Sequence, residues 1–236
     1  MRFESYAQYL EDMVLYCALK DVDKGFYIDV GANDPTLDSV TKFFYDRGWH
    51  GINIEPLPNK CALLAEMRPR DINLCVGLGN ERGKLDIFEA DGISTFLPNI
   101  AESVNILDHP KRTKNILTLS EVYNRYCPPN QEVHFCKIDV EGYERQVLEG
   151  IKDWHKFRPW IFAMESTLPN TDIPCHEQWE DLLLANDYVF AYQLNINRYY
   201  VDAAEHEYLL SNFDNISDFA MNNTVFKLSI MRVDFV

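Results

Sequence analysis

Residues 25–56, GFYIDVGANDPTLDSVTKFFYDRGWHGINIEP, decide the fold. The run 26–30 is apolar or β-branched except for Asp29, and it ends on Gly31, which predicts a buried strand running into a glycine turn. Asp38 is then placed to cap a helix through Phe43 and Phe44, with Gly48 as its stop. A second apolar run, GINIEP (51–56), is broken by Glu55 and Pro56. A strand, a glycine turn, a helix and a second strand make half of a nucleotide-binding unit built on a parallel sheet.

The flanks extend the same alternation. Upstream, Tyr6, Leu10, Met13, Val14 and Cys17 recur at helical spacing, and Ser5 with Gln8 forms an S-x-x-Q capping box, so a helix over about 5–19 is predicted. Downstream, a helix carrying Leu63, Leu64 and Met67 precedes a third strand, INLCV (72–76), and KLDIF (84–88) alternates like an edge strand. GISTFLPNIAESVN (92–105) reads as loop and irregular helix. Thr118 and Glu121 form a second capping box, VHFCKI (133–138) is a central strand ending at Asp139, and ERQVLEG is a helix closing at Gly150. WIFAM (160–164) ends at Glu165, HEQWEDLLLAN is helical, and YVFAYQL with NRYYV forms a closing antiparallel pair; residues 214–236 show no clear element. The expected fold is α/β, a mostly parallel sheet with helices on both faces. No repeat, low-complexity tract or Gly/Ser linker divides it, so 1–236 reads as a single domain.

Composition narrows the partners. The 236 residues carry 22 Lys+Arg against 37 Asp+Glu, a formal charge of −15, which argues against nucleic acid and against polybasic adhesion to membranes. A hydrophobic share of 47% with 25% charged residues is that of a globular chain, not a disordered or fibrous one. Acids interrupt the opening residues, and no apolar stretch reaches the roughly 18 residues of a membrane span. Neither secretion nor membrane insertion is expected, and a cytoplasmic location fits. Six cysteines at irregular separations, with no CxxC pair, point to neither zinc nor a redox dithiol; Cys75 and Cys136 sit in apolar runs, as small buried hydrophobes would.

In open parallel sheets, ligands bind beyond the carboxyl ends of the strands. Asp29, Glu55, Asp139 and Glu165 all stand at such ends. One strand-end carboxylate is usually a cap or a solvated turn residue, whereas four together mark a site. The interval from Asp29 to Glu55 suits a nucleoside, with a glycine turn for close backbone approach and an acid to accept ribose hydroxyls. GANDP lacks the second and third glycines of G-x-G-x-x-G, so it offers no pyrophosphate cradle, and a nicotinamide cofactor is disfavoured. A nucleoside without a pyrophosphate, such as S-adenosylmethionine, suits this arrangement, and an acidic lining favours its sulfonium and ammonium cations.

SYAQYLEDMVL, the stretch quoted first, KIDVEGYERQVLEG and NRYYV together resemble the FkbM family of class I S-adenosylmethionine-dependent methyltransferases, above all members acting on sugars of bacterial surface polysaccharides. The resemblance runs from about Ser5 to about Glu207. It implies the seven-stranded, Rossmann-like class I sheet with one antiparallel strand in the closing hairpin. It also implies that Asp29, Gly31 and Asn33 meet the methionine part of the cofactor, that Glu55 holds the ribose, and that Gln8 and Asp12 on the first helix cap the cofactor. TLPNTDIPCHEQWE is similar to the polysaccharide-linked members too, while Leu194 and Asn195 depart from the Asp-Gly those members often show.

A sugar hydroxyl has a very high pKa, so methyl transfer to it needs a base, or a metal that acidifies it, together with in-line positioning. Asp139, Glu165 and His176 would supply two carboxylates and an imidazole to a divalent cation (Fe, Mg or Mn), leaving positions open for sugar oxygens. The other reading of His176 is a solvated residue at a helix start. Glu141 and Tyr143 are candidates for proton acceptor and substrate contact, Glu141 otherwise being a helix N-terminal charge worth about 0.3 to 1 kcal/mol. Asn197, Arg198 and Tyr199 suit a sugar or its phosphate, Arg198 as the phosphate donor, or else they are outward residues of an edge strand. Trp49, Trp154, Trp160 and Trp179 read as core. The expected function is methyl transfer from S-adenosylmethionine to a hydroxyl of a small sugar or nucleotide-sugar substrate. A polyketide or phosphoramidate acceptor is the alternative within enzymes, and a non-catalytic S-adenosylmethionine-binding module is the alternative outside them. The oligomeric state stays open.

Overall fold

The computed structural model describes residues 2–90, 92–222 and 224–227. The chain opens with β1 (Arg2–Ser5) and enters α1 (Glu11–Ala18), then alternates through β2 (Phe26–Val30), α2 (Lys42–Asp46), β3 (His50–Ile54), α3 (Pro58–Met67) and β4 (Ile72–Leu74). A smaller section holds β5 (Gly77–Leu78), β6 (Gly83–Phe88), α4 (Pro98–Ser103) and β7 (Lys111–Leu117). The alternation resumes with α5 (Leu119–Tyr126), β8 (Phe135–Ile138), α6 (Glu144–Glu149), β9 (Ile161–Glu165), α7 (Glu180–Leu184), β10 (Tyr188–Leu194) and β11 (Asn197–Asp202). After these come α8 (Leu210–Phe213), α9 (Ile216–Asn222) and β12 (Thr224–Lys227).

Seven strands form the central sheet in the order β4-β3-β2-β8-β9-β11-β10. All neighbours run parallel except β11, which is antiparallel to both β9 and β10. This is the class I sheet that the resemblance implied. Strand order reverses between β2 and β8, so the crevice for a ligand opens at their carboxyl ends.

Strand alternation supplies both faces of the core. Phe26, Ile28 and Val30 of β2 pack with Leu119 and Val122 of α5, Val147 and Leu148 of α6, and Leu183 of α7. Tyr27 faces the other way, with Val14 of α1, Phe43 and Phe44 of α2 and Phe213 of α8. All five residues of β2 are buried, which is why its pattern reads as a continuous apolar run. Trp49 and Trp179 are in the core, as expected, at 3% and 1% exposure.

Several local expectations are corrected. Ser5 and Gln8 do not cap α1. Ser5 lies in β1, which pairs with β12, and its hydroxyl donates to Asp12 Oδ1 at 2.6 Å; Leu10 takes the N-cap position in a left-handed conformation. Asp38 does not cap α2 either: Thr41 precedes that helix, and Asp38 sits at φ 53, bridged to Ala7. KLDIF is an edge strand, as read, but of a separate three-stranded sheet, β5-β7-β6, where it runs antiparallel to β7. Cys75 is exposed, because it follows the edge strand β4. The capping box at Thr118 is present: Glu121 N–H donates to Thr118 Oγ1 at 3.1 Å and Thr118 N–H to Glu121 Oε2 at 2.9 Å. The tail that showed no element holds α9 and β12, and its residues 223 and 228–236 lie outside the described residues.

A buried network fixes the loop beneath the crevice. Asp71 accepts from Gly51 N–H at 2.8 Å, Tyr27 Oη at 2.7 Å and Asn53 Nδ2 at 3.0 Å, and its carboxylate lies 3.7 Å from the guanidinium of Arg68. Arg68, 1% exposed, also donates to Pro35 O and Ser39 Oγ, so it ties the end of α3 to the loop between β2 and α2. Arg68→Met removes one partner of a buried pair, which costs about 3 to 5 kcal/mol. Guanidinium unfolding checks this; a loss under about 1 kcal/mol would contradict a central role for the network.

Candidate active site

A cavity of about 790 Å³ lies at the carboxyl ends of β2, β3, β8 and β9, within the roughly 300 to 1,000 Å³ typical of small-molecule sites. Gly31 permits it. A Cβ there would lie 1.9 Å from Asp139 O, so the ends of β2 and β8 approach closely only without a side chain, and Gly31 holds φ 78. Next to it, Asn33 turns at φ 48, and its N–H donates to Glu55 Oε2 at 2.9 Å. Leu57 N–H donates to Glu55 Oε1 at 2.7 Å, so each oxygen of Glu55 keeps a lone pair for the cavity. Burial pushes the Glu55 carboxyl up, and the N–H groups of Leu57 and Asn33 oppose the rise.

Asp29 is 2% exposed. Its Oδ2 accepts from Thr41 Oγ1 at 2.9 Å, and its Oδ1 has no hydrogen-bond partner among the described residues. A buried, unsatisfied carboxylate oxygen bordering a cavity is what a cationic ligand group would complete. Lys137, which sequence reasoning did not single out, stands between the strand ends: its Nζ is 3.1 Å from Gly31 O, 3.2 Å from Asp139 Oδ2 and 3.7 Å from Asp29 Oδ1. Burial works against its charge, but Asp139 and Asp29 outweigh burial and hold its pKa above the ordinary lysine value. The signal was available in KIDVEG, since a lysine inside an apolar central strand has to be paired.

Beyond Lys137, the residues Asp139, Glu141 and Glu165 each place a carboxylate oxygen within 4.8 Å of the others. All three border the cavity. Burial pushes the Glu141 carboxyl up to about 9, with the negative charge of Asp139 and Glu144 adding to it. Glu165 is 7% exposed and is also raised well above the ordinary range, by burial first and then by Asp139 and Glu141; its Oε2 has no hydrogen-bond partner among the described residues. Glu144 differs. It accepts from Val140 and Gly142 N–H at the start of α6, the work of a structural cap.

The remaining candidates divide. Gln8, Asn33 and Tyr143 border the cavity with Asp29, Gly31 and Glu55. Asp12 does not: fully buried, it accepts from Ser5 Oγ, Tyr6 N–H and Met13 N–H and thereby fixes the turn that presents Gln8. His176 starts a 3-10 turn over His176–Gln178; it borders neither the cavity nor the carboxylate group, in keeping with its solvated reading. Asn197, Arg198 and Tyr199 do not border the cavity either, and β11 is an inner strand, not an edge. Asn197 Nδ2 donates to Glu11 Oε1 at 2.9 Å; Arg198 is held by Glu180, Gln193 and Tyr200; Tyr199 is buried against Phe213. Glu11, which sequence reasoning also passed over, ties β11 to the same turn by accepting from Tyr9 N–H at 2.7 Å.

Among solved structures, the chain is similar to the crystal structure of methyltransferase FkbM from Methylobacillus flagellatus KT, with 15% identity and a TM-score of 0.45 over 75% of this chain and 44% of that one. It thus spans less than half the length of that protein. A search of curated proteins finds no match. The family model of the methyltransferase FkbM domain matches residues 29–190, well over half of the chain. That span takes in Asp29, Gly31, Glu55, Lys137 and the group of Asp139, Glu141 and Glu165, and the chain belongs to the FkbM methyltransferase family.

Proposed function

We propose that this protein is an S-adenosylmethionine-dependent O-methyltransferase acting on a carbohydrate hydroxyl. The observation that carries the reading is the cavity at the point where strand order reverses, bordered both by nucleoside-type groups and by a group of three carboxylates. S-adenosylmethionine, when bound, supplies a methyl group made electrophilic by the sulfonium. Glu55 would hold its ribose hydroxyls, the backbone at Gly31 and Asn33 would approach its methionine part, and Asp29 Oδ1 would receive its ammonium. The cavity's size and the unsatisfied Asp29 oxygen support that assignment.

The carboxylate group does the acid–base work. A hydroxyl held against Asp139, Glu141 and Glu165 would lose its proton to whichever of them is ionised as its oxygen takes the methyl group, the S–CH3 bond of the sulfonium breaking to leave the neutral thioether S-adenosylhomocysteine. Such general-base assistance is worth about 10² to 10⁴ in rate. Like charges this close favour retention of a shared proton in the free protein. A second reading places a divalent cation on the three carboxylates, favoured by their mutual distance. An all-oxygen donor set suits Mg or Mn better than Fe. The cation would acidify the hydroxyl directly.

Calorimetry should show S-adenosylhomocysteine binding, weakened about tenfold or more by Asp29→Asn or Glu55→Gln, the loss of a charged partner being worth at least about 1.4 kcal/mol. No binding to the unaltered protein would overturn the reading. Asp139→Asn and Glu165→Gln should lower transfer of a radiolabelled methyl group by about 100-fold or more while cofactor affinity stays within about tenfold. Equal loss of both would move these residues to the cofactor side. Full activity in excess EDTA would end the cation reading.

Glu141 contributes to the pH dependence of stability alongside Glu11, Asp12, Glu144 and Glu165, whose carboxyls burial also raises. Its carboxyl rises from an ordinary 4.5 to about 9 on folding, so the folded state keeps a proton that the unfolded state releases. Its contribution to stability is full below about pH 4.5 and is lost as pH rises toward 9. Thermal melts of the ligand-free protein across that range should show the decline, and Glu141→Gln should flatten it; an unchanged slope would contradict the assignment.

A further inference from the structure

A second cavity, of about 330 Å³, opens beside the first. It lies between the turn at Gln8 and Tyr9, Gly92 with Ile93, and the loop after β9 at residues 167–172. Glu141 and Glu165 border both cavities, so two of the three carboxylates stand in the shared wall, with Gln8, Asn170, Gly92 and Ile93. Glu165 Oε2, in a residue only 7% exposed, has no hydrogen-bond partner among the described residues.

The charge of the second cavity is one-sided. Glu141, Glu165 and Asp172 border it, and among the described residues no lysine, arginine or histidine does. Tyr9, which also borders it, has its hydroxyl pKa raised, by burial first and then by the neighbouring acids Glu11, Asp172 and Glu165. The lysines of the larger cavity are committed elsewhere: Lys137 to Asp139 and Gly31 O, Lys60 at 3.8 Å from Asp34. Arg198, expected from the sequence to meet a phosphate, borders neither cavity and is paired with Glu180 at 2.9 Å. A phosphate here would find no cation to pair with in place of its water, and acids, whether protonated or charged, offer it no compensating positive charge. Hydroxyls and ammonium groups, by contrast, donate to carboxylates, and Thr167, Asn170 and Gln8 add neutral donors and acceptors.

Resting on the methyl-transfer reading, we infer that the second cavity is the acceptor subsite and that it takes an uncharged or amino-bearing polyhydroxylated acceptor, not a phosphorylated or nucleotide-linked sugar. The test uses the full chain with tritiated S-adenosylmethionine and a panel of neutral glycosides and amino sugars, each set against its nucleotide-diphosphate conjugate, in EDTA and in MgCl₂. The magnesium arm exposes any cation-bridged phosphate. The free sugars should be methylated at least about tenfold better than their conjugates in both arms. Asp172→Lys, a change at an exposed position, should strengthen binding of inorganic pyrophosphate by about tenfold, and salt should reverse the gain. Preference for a conjugate in either arm, no preference, no methylation of any free sugar, or an unchanged pyrophosphate affinity in the variant would overturn the inference. S-adenosylhomocysteine binding, measured alongside by calorimetry, separates the two levels. If it binds while the panel fails, only the acceptor assignment falls; if it does not bind, the methyl-transfer reading falls and takes the inference with it.

Discussion

The amino group of Lys137 sits where the central sheet reverses direction, and the site depends on that placement. It contacts Gly31 O at the end of β2 and Asp139 at the end of β8, with Asp29 slightly farther away. A crevice between diverging strands would otherwise bring Asp29, Asp139, Glu141 and Glu165 together with no internal cation, and mutual repulsion would favour opening it. The lysine reverses that sign. Gly31 completes the arrangement sterically, since any side chain would collide with Asp139 O, and Asp139 N–H donates to Val30 O at 3.1 Å to close the strand ends. Charge and shape constraints thus fall on one small junction between two neighbouring strands.

The acids of this chain separate by what their oxygens touch. Asp12, Glu144 and Asp71 each accept from two or more donors of the protein itself and hold a turn, a helix start and a loop in place. Asp29 Oδ1 and Glu165 Oε2 are also buried yet have no hydrogen-bond partner among the described residues, Asp29 Oδ1 having only the longer ion pair with Lys137 at 3.7 Å. Burial without a hydrogen bond costs free energy, and a fold retains that cost where a ligand meets it. The surplus of acids behind the charge of −15 therefore holds structural carboxylates and ligand-facing ones in the same region, and only their hydrogen bonds tell them apart.

Much of the fold was legible because its signals are short-range. The run 26–31, the capping box at Thr118 and Glu121, and the closing hairpin each turn on residues a few positions apart, and each forms as read. The strand-end acids Asp29, Glu55, Asp139 and Glu165 were visible for the same reason, and all border the cavity. What failed was decided at long range. Ser5 and Gln8 satisfy a capping pattern, but pairing of β1 with β12, more than 200 positions away, draws Ser5 into a strand. His176 and Arg198 have suitable chemistry, but which way each faces depends on packing that periodicity does not specify. The register of β11 against β9 aligns Asn197 with Glu165, and alternation then puts Arg198 beside Tyr200 on the side facing α7, away from the ligand. Lys137 was overlooked for the opposite reason: reading it as one residue of a strand hid the question of what would neutralise it.

The two halves of the site are built differently, and this bears on what can vary. The larger cavity stands on adjacent parallel strands whose ends are locked by hydrogen bonds, so its geometry follows from the sheet. The second cavity is assembled from three loop segments far apart in sequence: the turn before α1, Gly92 with Ile93, and residues 167–172. One of these, the turn before α1, is tied to the sheet by Glu11, which joins Tyr9 N–H to Asn197 at the start of β11. Substitutions in exposed loop positions such as Thr171 or Asp172 can change the charge and shape met by an acceptor without disturbing the strands beneath. Family membership accordingly constrains the cofactor side through the fold, whereas the acceptor has to be read from the charges of the loops themselves.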